Sequence, residues 1–341
     1  MATLGGDVLT LADIAQRADP NGMPAMIAET LHQAAPILND IPWFPSNLPT
    51  GHRSAIRTGL PTVNLRRLNS GVTSSKSTVT QVTDSLSLLE AHSTVDCKQL
   101  ELAGDEAAYR MQEAEAFIES MGQRVTGLIF YGDPTSDERE FQGLQPRYNT
   151  LGTNVLTGGS GDADVQSSIY LVGWGANKVF GIYPKNTQGG LQHNDLGKQL
   201  IQDQAETGLG NSKLLAYVDQ FTWDCGLVVK DWRYVVRIAN IYAVEALAAQ
   251  AEQELTDYGT NILYQMLAAT HRIPNLDACK PCFYMPRSLV EAFDKQNLAR
   301  AANNVYTQTG LTRTESGLSF RGIPVKAIDQ MVYTEAVVTF S

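Results

Sequence analysis

The chain has 341 residues, 43 % hydrophobic and 18 % charged, which supports a packed core and excludes a disordered chain. A net charge of −10 argues against nucleic-acid binding as its main task, because that needs Lys and Arg to displace counterions from phosphates. No apolar run reaches the roughly 18 residues of a membrane span, and Met1–Asp13 lacks the basic and apolar blocks of a signal peptide.

In chain order, Thr10–Ala15 and Ala25–Leu38 are predicted helices, separated by the turn Asp19–Gly22 and stopping near Asn39–Asp40. Pro42, Pro45 and Pro49 then force an extended strap around Trp43 and Phe44. Residues 50–90 are unusual. Gly51–Arg67 carries His52, Arg53, Arg57, Arg66 and Arg67, and Val72–Thr83 is β-branched but has almost no large side chains. Such a segment is either a loose surface hairpin or a two-stranded arm that must lie on something else.

Residues 104–131 give the clearest helix. Asp105 suits the N-cap, and Ala107, Met111, Ala114, Ile118, Met121, Val125 and Leu128 draw one apolar stripe expected to face the core. Residues 150–240 are rich in strands: Ser168–Gly175 and Lys178–Pro184 as neighbours, and Gln220–Val229 with Trp232–Ala239 as a hairpin turning at Lys230–Asp231. Ala243–Tyr264 and Ser288–Ala299 are predicted helices. Phe283–Pro286, Leu318–Ile328 and Val332–Phe340 are predicted strands, and the class is α+β.

Motifs for chemistry fail. There is no G-x-S-x-G and no H-E-x-x-H. Gly173-Trp174-Gly175 lacks its third glycine at Lys178. A phosphate loop ending at Gly197-Lys198 has Gln192 and Gln199 where Gly and Ser or Thr belong. Cys279-Lys280-Pro281-Cys282 has no second ligand pair, and Cys97 and Cys225 are isolated, so reduced cysteines and no metal or cofactor are expected. His193 and Asp195 could form a general-base pair, but a solvated turn explains them as well. Asp231 and Arg233 read as an ion pair, internal or between subunits. An arm, a proline strap and a hairpin without a core face together imply neighbouring subunits rather than catalysis.

Seven stretches carry a resemblance in this order: Ile37–Trp43, Pro49–Pro61, Ser74–Ser77, Phe130–Asp133, Gly143–Tyr148, Gly181–Lys185 and Asp231–Asn240. With them the chain resembles the major capsid proteins of tailed phages of the epsilon-fifteen-like group, which have the Hong Kong 97-type capsid fold. The resemblance implies an N-terminal arm at 1–45 and an extended E-loop at 46–95 that reaches over a neighbour. It further implies a peripheral domain at 96–240 with a spine helix at 104–128, and an axial domain at 241–341. It implies a non-enzymatic subunit that assembles into pentamers and hexamers of an icosahedral virion shell, made in the host bacterial cytoplasm. The shell would enclose double-stranded DNA without sequence-specific binding, with portal, scaffolding and decoration proteins as partners and no membrane. Candidate subunit-contact residues are Trp43, Arg53, Arg57, Arg66, Arg67, Lys76, Asp231, Arg233 and Arg237. The alternatives are a cellular nanocompartment shell, a hydrolase using His193 and Asp195, and a carbohydrate-binding or tail-fibre module.

Overall fold

A computed structural model describes residues 33, 35–103, 105–159, 166–202, 213–242, 262–291, 293, 311–314 and 317–340. The expected helices at 10–15 and 25–38 lie outside these residues, apart from the last few positions of the second, as do most of 243–264 and the end of 288–299. The chain forms two compact units. The first is built from 1–33, 88–124 and 190–224, the second from 34–87, 125–189 and 225–341.

In the first unit, helix α2 (Cys97–Ala103) precedes the amino-terminal part of helix α3 (Glu106–Tyr131). Asp105 caps α3: its Oδ1 accepts from the Ala108 N–H at 3.1 Å. Strand β8 (Gln192–Gln202) pairs antiparallel with the first part of β9 (Lys213–Val229), with a bulge between Asp195 and Lys198 at left-handed Gly197. Val95, Leu100 and Tyr109 form a small core, with Tyr217 packed against it.

The second unit holds the main sheet. Strand β6 (Gln166–Trp174) is buried along its whole length and lies between β10 (Val235–Tyr242) and β11 (Lys280–Met285), antiparallel to both. Short β5 (Val155–Thr157) pairs with β10, and β14 (Ile323–Ala327) pairs with β11, both parallel. Beyond β14 lie β13 (Gly317–Phe320) and β12 (Leu311–Thr314). On the other side β7 (Val179–Tyr183) pairs antiparallel with the last part of β9, Gly226–Val229. Buried Val125, Leu128, Ile129 and Phe130 of α3 belong to this unit's core, and helix α5 (Ile262–Arg272) packs on β10 and β5.

The strap before the sheet is ordered by pairing. Helix α1 (Ile37–Asp40) leads into β1 (Trp43–Pro45), which runs parallel to β7. The Trp43 ring lies on Gly181, where a Cβ would come within 2.4 Å of it. Tyr284 O–H donates to Asp40 at 2.7 Å and accepts from the Trp174 indole at 2.8 Å, tying α1 to the sheet.

Several sequence expectations need correction. β9 and β10 do not pair with each other. A 3-10 turn at Trp232–Tyr234, capped by Asp231, redirects the chain so that β10 joins β5 and β6 instead. β6 and β7 are neighbours, but through one parallel bridge, Trp174 to Val179. The 318–328 run is broken at Arg321–Gly322, both with positive φ, which turn it into the β13–β14 hairpin. Residues 332–340 are not a strand: their strand-type pairing is an isolated bridge, Gln166 to Glu335. Along α3 the expected stripe splits. Met121, Val125 and Leu128 are buried, whereas Met111 is 65 % and Ile118 44 % exposed, and Tyr109 is the buried residue near the start.

Candidate assembly interface

Residues 51–85 build a two-stranded arm. Strand β2 (Gly51–Gly59) pairs with β3 (Thr78–Ser85) in register from Gly51–Ser85 to Gly59–Thr78, and these two strands form a sheet of their own. Nine residues of strand give the arm a reach of about 30 Å at ~3.3 Å each, before its tip is counted. Gly51 is needed at the base, because a Cβ there would meet the Asp84 carbonyl at 2.4 Å.

The base is anchored by charge and stacking. Arg147, in the short helix α4 (Leu144–Arg147), meets Asp84 at 2.7 Å, and both side chains are largely buried. Arg147 also donates to the Gln142 and Leu227 carbonyls. The His52 ring stands edge-on to Phe180, 5.5 Å away, and burial lowers its pKa, opposed by Asp84. Asn47 clamps the Arg53 backbone with two hydrogen bonds, at 2.7 and 2.8 Å.

Beyond the base the arm has little to pack on. Every residue from 60 to 83 is exposed, including Leu60, Val63, Leu65 and Leu68, with Leu65 at 103 %. Local hydrogen bonds shape the tip: Arg66 Nε to the Ser70 carbonyl at 2.9 Å, and Ser75 Oγ to the Thr62 carbonyl at 2.8 Å. Arg53, Arg57, Arg66, Arg67 and Lys76 are the formal charges between Gly51 and Thr83, with no Asp or Glu among them. An exposed, cationic and partly aliphatic arm is suited to lie on another surface.

The other candidate positions divide. Trp43 is half-buried and belongs to the β1 strap. Arg233 pairs with Asp231 at 2.8 Å, which holds the Asp231 carboxyl below its ordinary range and stabilises the turn before β10. Arg237 is corrected outright: it is 1 % exposed and internal, so it cannot touch a neighbour. It donates to Glu335 and the Tyr148 carbonyl, each at 2.8 Å, and to Ser168 at 3.0 Å. Tyr131 donates to the other Glu335 oxygen at 2.9 Å. Burial opposes the Arg237 charge, but Tyr170 and Glu335 outweigh it and raise its pKa. Glu335, Asp84 and Arg147 escape a sequence reading because their partners are far along the chain. The tip leucines do carry a signal: aliphatic residues flanking Arg66–Arg67 in a segment with no core face.

The His193–Asp195 couple does not form. His193 Nε2 lies 2.8 Å from Asp219 and its ring stacks on Phe221. Arg110 binds Asp219 through two nitrogens, at 3.1 and 2.8 Å, and Asp195 at 2.9 Å. That bond to Arg110 lowers the Asp195 pKa and makes it a weaker base. The four cysteines are free, and among the described residues no group of three His, Cys, Asp or Glu is placed to hold a metal. Among the same residues no helix is long and apolar enough to cross a membrane.

The family model described as Major capsid protein GP7 matches residues 19–339. No curated protein matches the chain. Among solved structures, that of bacteriophage Epsilon15 aligns with 99 % of this chain and 99 % of its own, at 27 % identity and a TM-score of 0.76. The capsid of bacteriophage JBD30 aligns with 95 % of this chain and 99 % of its own, at 12 % identity and a TM-score of 0.49. An encapsulin complex from Synechococcus elongatus aligns with 69 % of this chain and 97 % of its own, at 14 % identity and a TM-score of 0.44.

Proposed function

The chain belongs to the major capsid protein GP7 family, with the mixed α+β Hong Kong 97-type fold and a shell-forming structural role, and on that ground we propose how its parts build the shell. Copies gather into pentamers and hexamers and close into an icosahedral virion shell around double-stranded DNA. Residues 1–45 serve as the N-terminal arm and 46–95 as the E-loop over a neighbour. Residues 96–240 serve as the peripheral domain, and 241–341 as the axial domain at capsomer centres. Assembly takes place in the host cytoplasm with portal, scaffolding and decoration proteins, and the subunit performs no catalysis.

The observation that carries this reading is the arm: strands β2 and β3 end in a tip whose aliphatic side chains are open to solvent. An isolated hairpin of this kind gains its stability from a second surface. Weak contacts repeated over a closed shell then add up through multivalency. Sedimentation and electron microscopy of the purified full chain test it. Rings of five and six or closed shells are expected. Monomers that persist even with the cognate scaffolding and portal proteins would overturn it.

A further inference from the structure

Resting on the shell-forming role, we propose that two copies meet across a two-fold axis by exchanging Phe340, each ring entering the other copy's pocket beside Trp232. The pocket lies in the second unit, between the turn before β10 and the loop at 150–153. It holds about 400 Å³ and is lined in part by Arg147, Tyr148, Asn154, Val155, Val229 and Trp232. That is the size range of sites that take a small aromatic group. Trp232 is 50 % exposed, whereas Tyr148, Asn154, Val155 and Val229 are buried.

The lining decides what kind of group can enter, because its large polar side chains are already committed. Tyr148 O–H donates to the Trp232 carbonyl at 2.9 Å, and Asn154 Nδ2 donates to the Val235 carbonyl at 2.7 Å. Arg147 is held by Asp84 and by the Gln142 and Leu227 carbonyls. Arg272 donates to the Gly152 and Thr153 carbonyls of the loop. An anion or a sugar would have to break such bonds to be recognised. A ring needs only the indole face and the two valines.

The occupant comes from the same surface. Val338 is pinned to Asn240 by two hydrogen bonds of 2.8 Å, and the Leu151 N–H donates to the Thr339 carbonyl at 3.0 Å. Those bonds bring Phe340 to the pocket's own loop, yet its ring is 77 % exposed and takes no part in the lining. A knob fixed next to a hole on one surface is self-complementary. A two-fold axis between them places each knob over the other copy's hole. Aromatic side chains seated in such pockets carry much of an interface's energy.

The test uses the full-length protein. Phe340→Ser is expected to lower shell yield about tenfold, the scale of one lost aromatic anchor, and Phe340→Tyr to keep most of it. The ring is exposed in the single copy, so unassembled Phe340→Ser should melt at the wild-type temperature. Trp232→Ala should match Phe340→Ser, and the two together should be no worse than either. A photoreactive benzoylphenylalanine in place of Phe340 reads the contact directly. Illuminated shells should give covalent dimers and nothing longer on a denaturing gel, because a two-fold exchange closes on itself. A ladder of longer oligomers, or cross-links confined within single chains, would overturn the exchange. So would full yield in Phe340→Ser; if Trp232→Ala alone loses yield, the pocket belongs to a different partner. These failures leave the shell role standing. Wild-type protein that forms neither rings nor shells removes that role, while dimers cross-linked through position 340 would still report the exchange.

Discussion

At the scale of single residues, the second unit depends on charges removed from water. The Arg237 and Glu335 side chains are each 1 % exposed, and the pair holds the carboxy-terminal segment to β6 and β10. Truncating one partner strands the other charge in the core. Arg237→Met is therefore expected to cost about 3–5 kcal/mol in chemical denaturation. Arg237→Met with Glu335→Leu should recover most of that, since neither charge is then buried. His52 gives a pH dependence. Burial lowers its pKa, with Asp84 opposing and Lys230 assisting. The unfolded chain therefore holds a proton, below about pH 6.5, that the folded chain releases. Stability is full above that value and falls as pH drops through it toward the lower folded value. A His52→Gln variant should lose less melting temperature than the wild type between pH 7 and 5. Parallel curves would show that His52 is not the source.

At the scale of elements, the strap makes a sharp test. The Trp43 ring covers Gly181, and a methyl there would meet the ring at 2.4 Å and Ile41 at 2.7 Å. Gly181→Ala should cost about 1–3 kcal/mol by overpacking and pull β1 away from β7. Hydrogen exchange at Gly181, whose N–H donates to the Pro42 carbonyl at 3.1 Å, would read the loosening locally. The strap was legible because prolines act on their own neighbours, and so was α3, whose period and Asp105 cap are local. The β9–β10 hairpin misled because strand pairing is a long-range choice: a good turn at Lys230–Asp231 is consistent with two outcomes, and β10 finds β5 and β6. The α3 stripe misled for a different reason. Periodicity finds an apolar face but cannot say whether its own chain covers it, and Met111 and Ile118 stay open. Arg237 was misplaced because a charged residue in a strand looks like surface until its partner, 98 positions away, is known.

At the scale of the whole molecule, two electrostatic effects oppose each other during assembly. Each chain carries −10, so copies repel over long distances, whereas the five cations of the arm favour acidic surface at close range. The Debye length is about 30 Å at 0.01 M salt and about 10 Å at 0.1 M, so the first additions of salt remove mainly the long-range repulsion. Further salt then weakens the partly exposed pairs at the contact. Shell yield in sodium chloride should therefore rise, pass through a maximum and fall. Replacing Arg53, Arg57, Arg66, Arg67 and Lys76 by Gln makes each copy more acidic, so the rising limb should steepen. The falling limb should disappear, because the arm no longer has a charge to screen. Light scattering across a salt series would follow both limbs in the two proteins. A falling limb of equal slope in the neutral-arm variant would place the salt-sensitive contact somewhere other than the arm.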